Sequence, residues 1–445
     1  MAKDMTRGNL VRVLISFSIP LIISGVLQQL YNWVDAFIVG NIVGELALAA
    51  VGVTTTILNL FIFTITGFAS GLSILAGQLF GNKKTDQLEK VLSTFIVVAG
   101  GIALFLSVLC MIFAAPLLTI LETPADIFTI ADHYLRIVII GMPILAVYNV
   151  YAAVLRGVGD SRAPFLAVVV SSIVNVILDV LFVWLFRWGA EGAAAATVIS
   201  QLFMTVFIVC YTTKRYDFLR FHFRKKLVDK SILEKGSSLG IPVAIQSCAS
   251  SVGSLILQNF MNGFGTPTVA AVTTAYRIDC ILLLPIINLG TGISTAVAQN
   301  TGAGDTKRAK KCLWTGNAIM VILSIMLTLL IIIFGADLIA MFGVTEESTR
   351  IGKAFFFAIA RFYLVYGLAM SFRGYLEGMG DVLFSSICGI IAVLIRIVMS
   401  YIMKPYLGNM SIAYAEAVSW CSMLLLYIMR VVFFRYGASG RITEK

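Results

Sequence analysis

The sequence predicts an all-α polytopic membrane protein: twelve transmembrane helices in two six-helix bundles related by a pseudo-two-fold axis along the membrane normal. Three observations predict it. Of 445 residues, 59% are hydrophobic and only 13% charged, and mean hydropathy is +0.95, more apolar surface than a soluble core can bury. Apolar runs of the ~20 residues that one crossing needs recur from end to end. The two halves also match in order at an offset of about 221. SIPLIISGV around Pro20 answers GIPVAIQSC around Pro242. GLSILAGQLFGN answers GISTAVAQNTGA, and LRGVGD, ending at Asp160, answers LEGMGD, ending at Asp381. Six spans per copy return the chain to its starting side, so both copies share one orientation.

The spans are expected at 11–39, 46–80, 91–117, 130–156, 163–187, 190–213, 236–261, 268–299, 310–342, 350–377, 383–403 and 411–435. Gly, Pro and Asn mark most connections. The first span follows Lys3, Arg7 and Arg12, is too long for a removable signal peptide and lacks a small-residue cleavage site. The organisation expected is an N-terminal bundle over 1–213, a basic cytoplasmic linker over 214–235 and a C-terminal bundle over 236–445. Lys and Arg gather on one side, in the N-terminus, NKKTDQLEK, RGVGDSRAP, the linker, GDTKRAKK and the C-terminus. Arg187, Arg350, Lys353 and Lys404 remain for the other. Both termini are therefore expected in the cytoplasm. This bias accounts for most of the net charge of +10. Attraction of the linker to anionic lipid explains its charge more simply than nucleic acid, which is not an expected partner.

The seven cysteines lie nearly all within spans, with no CxxC, and read as small apolar residues. His133 and His222 stand apart, which disfavours zinc. GVGD and GMGD match the GxGD pattern of intramembrane aspartyl proteases. Asp160, however, sits between Arg156 and Arg162 ahead of Pro164, in a cytoplasmic loop, and the pattern recurs in both copies. A shared turn is expected, with glycine supplying the unusual φ and aspartate capping the next helix. No HExxH, GxSxG or P-loop is present, so no enzyme activity is expected.

Asp35 is the first anomaly, a carboxylate inside the apolar run of QQLYNWVDAFIVG. Such a group is costly at membrane depth and marks a functional path by default. Helical rise places Asp35 ~10 Å, Asp179 ~12 Å and Thr197 ~10 Å from the outer ends of their spans. Asn175 lies one turn from Asp179 on the same face. Four oxygen-bearing side chains from three spans thus share a level. Carboxylate, amide and hydroxyl oxygens suit a small hard cation, by extension from Ca²⁺ and Mg²⁺. Two neighbouring buried carboxylates equally suit a proton. The C-terminal copy lacks the pair: Asp35 aligns near Leu257, Asn175 with Arg396 and Asp179 with Ser400. Its seventh span has no acid, and its tenth has only Glu377. Coupling is therefore expected through the N-terminal bundle, with Glu416 a loose counterpart of Thr197. The C-terminal copy instead places Arg277, Arg361 and Arg396 at membrane depth, with Arg373 and Glu377 an i,i+4 pair. These arginines read either as helix-to-helix glue or as a lining that favours an anionic or zwitterionic solute. Gln28, Asn149 and Met261 join Arg277, Arg361 and Arg396 as candidate cleft residues. Trp33, Phe37 and Met142 read as a greasy lining or as packing.

QQLYNWVDAFIVGNIVGELALAAVG, GQLFGN and the RGVGD turn together resemble the MATE family of multidrug and toxic compound extrusion transporters, of the MOP superfamily. The resemblance covers essentially the whole chain. It implies the MATE fold, a V-shaped pair of bundles working by alternating access, and Na⁺- or H⁺-coupled antiport of organic, often cationic, solutes. It implies a cation site at Asp35, Asn175, Asp179 and Thr197, where Na⁺ is a candidate ligand, with Tyr31 and Tyr134 in the supporting network. The expectations are no cofactor beyond the coupling ion, small organic solutes and the bilayer as partners, a monomer, and a prokaryotic plasma membrane. The other reading is a flippase or exporter of an anionic, zwitterionic or lipid-linked solute without obligate coupling.

Overall fold

The structure is a computed structural model that describes residues 3–221 and 227–433. Its described residues are helical, with no strands. The first half holds α1 (Leu10–Ile38), α2 (Glu45–Gly81), α3 (Thr85–Ile112), α4 (Ala114–Ile120), α5 (Ala125–Ile140), α6 (Met142–Gly157), α7 (Arg162–Asp179) and α8 (Gly189–Arg215). The second holds α9 (Lys230–Asn262), α10 (Thr266–Leu282), α11 (Leu284–Gly302), α12 (Thr306–Ala340), α13 (Glu346–Ala360), α14 (Tyr363–Met379), α15 (Val382–Leu407) and α16 (Ser411–Phe433).

Nine stretches among the described residues are long and apolar enough to cross a membrane, eleven with two bent pairs each counted as one span. One stretch, Val382–Phe433, turns back at Gly408, where φ is +56°. Arg430 bonds Asp381, Tyr427 bonds Ser385 and Arg396 bonds Glu416, so α15 and α16 run antiparallel as two crossings. That brings the crossings to twelve.

The repeat is visible in the backbone itself. The bent pair α5–α6 (42°) is matched by α13–α14 (49°). Positive φ recurs at matched turns: Gly44 and Gly265, Lys83 and Gly304, Glu122 and Gly343, Gly159 and Gly380, Arg187 and Gly408. The GxGD motifs lie in one of these turns. Asp160 Oδ1 accepts from the backbone of Arg162 and Ala163 at 3.0 and 3.1 Å, and Asp160 also accepts from the Tyr211 and Tyr216 hydroxyls. Asp381 is bound by Arg430 at 2.7 Å.

Some expected boundaries shift. The third span starts at Thr85, not 91, and ends at Ile112. The expected continuation to 117 is instead a separate short helix, α4, whose third residue is Pro116. Proline is tolerated in a first turn and not in a helix interior. The span expected over 268–299 breaks at Leu283, just ahead of Pro285, which opens α11. His222 lies outside the described residues, and His133 does have a partner: its Nδ1 is 2.7 Å from Glu191 Oε1.

Two compact units emerge, and neither is a simple half of the chain. One comprises Met1–Lys3 and Ile23–Gly240, the other Asp4–Ile22 and Ile241–Lys445. Pro20 and Pro242 lie inside helices two residues from these divisions. Proline removes an i→i−4 hydrogen bond and is where long helices kink. Within the first unit, Gly236 abuts the Phe95 ring and Gly240 abuts Phe68, closely enough that a Cβ on either would collide. Asp229 N donates to Thr94 Oγ1 at 3.1 Å. Within the second, Leu10, Leu14 and Phe17 join an apolar core with Ile286, Leu289 and Ile293. Met5 N donates to Gln299 Oε1 at 2.9 Å.

Candidate functional site

The first unit builds a carboxylate pair from α1 and α7. Both helices loosen where they carry it: α1 runs into a π turn over Val39–Val43, and α7 into one over Val180–Leu185 that starts directly after Asp179. The two π turns pack against each other, beside Asp35 and Asp179. The corresponding helices α9 and α15 contain no π turn. A π turn inserts a residue into the helical ladder and re-aims the side chains beside it. No sequence motif announces it.

Asp35 is half-buried, and its neighbours on α7 are enclosed. Asp179 is 0% exposed and Asn175 1%. Asp35 Oδ1, both carboxylate oxygens of Asp179 and both side-chain atoms of Asn175 are buried with no hydrogen-bond partner among the described residues. Asp35 and Asp179 lie within electrostatic reach of each other. Tyr31, one turn before Asp35, and the buried Tyr134 of α5 lie within electrostatic reach of both carboxylates. No Lys, Arg or His pairs with either acid among the described residues. Two neighbouring carboxylates without a basic partner repel each other whenever both are charged. A proton or a small cation would relieve the repulsion, and the orphaned oxygens of Asp35, Asp179 and Asn175 suit either one. Thr197 is half-buried on α8, and its hydroxyl makes no hydrogen bond to either acid.

The second unit has a polar network of a different kind, in which Arg396 and Glu416 are paired. Arg396 Nη2 donates to Glu416 Oε2 at 2.9 Å and to the Tyr276 hydroxyl at 2.6 Å, and Tyr276 donates to Glu416 at 3.1 Å. Tyr363 donates to the buried Asp279. The expected Arg373–Glu377 pair is present at 2.6 Å, and Arg373 also donates to Gln246 Oε1 at 3.0 Å. Sequence reasoning found the charges here but not the tyrosines that join them.

The candidate cleft residues divide by burial. Met261 lies in the apolar core of the second unit. Asn149 is buried and donates to Leu145 O at 2.9 Å. Neither offers surface to a solute in this conformation, and Arg396 is held by its ion pair. Met142 is also buried, whereas Trp33 and Phe37 are exposed. Gln28, Arg277 and Arg361 are exposed, Arg361 with its guanidinium 4.0 Å above the Phe357 ring.

Comparison with known proteins agrees with this architecture. The family model MatE matches residues 20–181 and again 242–402, once in each copy of the repeat. "Probable multidrug resistance protein YoeA" of Bacillus subtilis (strain 168) is 29% identical over 92% of this chain and 91% of its own length. "Multidrug export protein MepA" of Staphylococcus saprophyticus is 23% identical over 95% of each. An outward-facing multidrug resistance MATE family transporter of the MOP superfamily superposes with TM-score 0.90 at 21% identity, over 97% of this chain and 98% of that one. A MOP superfamily transporter from Pyrococcus furiosus gives TM-score 0.89 at 21% identity, over 99% and 97%. At such identities the likeness to solved structures shows the fold alone.

Proposed function

We propose, from the premise that this chain belongs to the MatE family of MOP superfamily transporters, that it exports organic solutes against inward flow of Na⁺ or H⁺, coupled at Asp35 and Asp179. The protein is a membrane transporter and not an enzyme, and multidrug efflux is the activity its relatives are named for. The single observation that carries the coupling reading is the buried carboxylate pair without a basic partner. Asn175 adds an amide oxygen to the pair. Tyr31 and Tyr134 shape the field around it, and Thr197 is the neighbouring hydroxyl.

The cycle follows from charge. A cation reaching the pair neutralises it, so α1 and α7 no longer repel across the π turns. The conformation with the cation bound therefore differs in free energy from the empty one. Export requires that solute and cation favour different conformations, because a ligand with equal affinity for both shifts nothing. The repeat supplies the moving parts: an N-terminal lobe over 1–213 and a C-terminal lobe over 236–445, joined by the basic 214–235 segment, with residues 4–22 packed into the second unit and residues up to Gly240 into the first. We place the protein as a monomer in a prokaryotic plasma membrane with both termini in the cytoplasm, in keeping with the Lys/Arg bias and the bacterial relatives.

The test is efflux of a fluorescent organic cation from liposomes holding purified protein, with Na⁺ and pH gradients imposed separately. One gradient is expected to drive wild-type transport. Asp35→Asn is expected to keep the wild-type gel-filtration profile and lose driven transport. Full driven transport by that variant would remove the proposed site.

A further inference from the structure

Each unit has two kinds of exposed helix face. One is wholly apolar, as on α12, where Ile322, Met326, Leu329 and Ile333 follow one another at helical spacing. This is the face that hydrocarbon covers. The other is mixed. On α2 it carries Thr56, Asn59, Thr66 and Ser70. On α10 and α11, the matching stretch of the second copy, it carries Thr273, Arg277 and Thr291. Thr56 and Arg277 occupy the same place in the repeat, so the stripe is neutral in one unit and cationic in the other.

Arg277 has no counter-charge. No hydrogen bond or ion pair engages it among the described residues, although it presents five N–H donors. The acids of its layer are already occupied, Glu416 by Arg396 and Tyr276, and Asp279 by Tyr363. It lies eleven residues beyond Thr266, the first residue of α10, which is ~17 Å along the helix and about halfway through a bilayer. An unpaired guanidinium at that depth belongs against water or a ligand rather than lipid tails.

We propose that the mixed face of α10 and α11 is wetted and solute-facing, and that Arg277 binds an acidic group (carboxylate, sulfonate or phosphate) on the exported solute. The inference rests on the transporter reading and narrows the solute class: the cargo carries a negative group, alone or beside a cationic one. A guanidinium takes such a group through two parallel N–H···O bonds, which an ammonium cannot reproduce.

Cys280, exposed one turn beyond Arg277, provides a reporter that needs no knowledge of the solute. In protein retaining Cys280 as its sole cysteine, we would measure modification by the anionic reagent MTSES and the cationic reagent MTSET. Both are expected to react. The MTSES-to-MTSET rate ratio is expected to fall about tenfold or more in Arg277→Gln, and to persist in Arg277→Lys. Protection of Cys280 from both reagents, or a ratio unchanged by Arg277→Gln, overturns the proposal.

Binding of rhodamine 110, which has a free carboxyl, and of its methyl ester rhodamine 123 is then compared in phosphatidylcholine nanodiscs. The acid is expected to bind at least about tenfold tighter, the contribution of one charge-assisted hydrogen bond, and Arg277→Gln to erase that preference. Equal binding of the two dyes overturns the proposal. A preference that vanishes when phosphatidylglycerol is added assigns Arg277 to anionic lipid and also overturns it. These readouts do not depend on a gradient. Loss of coupled transport with the acid preference intact would therefore count against the proposed function and not against this site.

Discussion

Single charges decide much of this molecule, and their effects separate by what surrounds them. Arg396 and Glu416 are paired in a largely buried setting, so Arg396→Met should cost ~3 kcal/mol by stranding Glu416. The double variant Arg396→Met/Glu416→Leu should recover most of that loss, and thermal unfolding in detergent reads both. Asp229 acts at the membrane edge. Its carboxylate accepts from Ile232 N at 3.2 Å and lies 3.6 Å from Lys90 Nζ, and these hold it below the usual carboxylate range. A depressed carboxyl contributes stability above its unfolded value near 3.8, and that stability is lost as pH falls through the lower folded value. Melting temperatures of wild type and Asp229→Asn should therefore differ at pH 5 to 6 and draw together only as pH falls below 3.8. Asp35 and Asp179 were legible in the sequence because a charge in an apolar run is an anomaly at one position. Their proximity was not, because the two π turns beside them leave no compositional trace. The bonds from Tyr363 to Asp279 and from Tyr276 to Glu416 were equally hidden, since a tyrosine in a span looks like any other aromatic until its partner is known.

Helices and turns show the repeat more fully than the letters do. At three of the matched turns with positive φ, the first copy places Lys83, Glu122 and Arg187 where the second places Gly304, Gly343 and Gly408. A side chain in that region costs roughly 1–2 kcal/mol, less the entropy that glycine forfeits. Glu122→Gly should thus stabilise the protein by up to about 1 kcal/mol, and Gly343→Glu should destabilise it by about the same amount. Denaturation of the two variants side by side checks both signs, and a loss of stability in Glu122→Gly would contradict the assignment. Span number and order could be read from hydropathy, because burial in lipid demands it. The bend between α13 and α14 could not, because Arg361 and Phe362 at its break are not distinctive breakers. The α5–α6 break at Gly141 lies just ahead of Pro143, which sits in the first turn of α6.

At the scale of the molecule, the 221-residue repeat was plain in the letters, whereas the division into units was not. Hydropathy has no feature at residues 22 or 240, because the same helix continues through each. Compactness assigns 4–22 to the second unit and 229–240 to the first, so each half made separately would lack a packed segment. We expect residues 1–224 and 225–445, expressed singly, to be recovered as aggregates, and their co-expression to restore a monodisperse complex by gel filtration in detergent. A monodisperse, heat-stable N-terminal half would contradict this. The same exchange bears on biosynthesis. Residues 4–22 leave the ribosome well ahead of their packing partners around Ile286 and Gln299, which follow after almost three hundred further peptide bonds. During that interval the leading helix sits in the bilayer without its final neighbours. Nascent chains should accordingly be most exposed to membrane quality-control proteases before the eighth crossing emerges, and slowing elongation over the second copy should lower yield more than slowing it over the first.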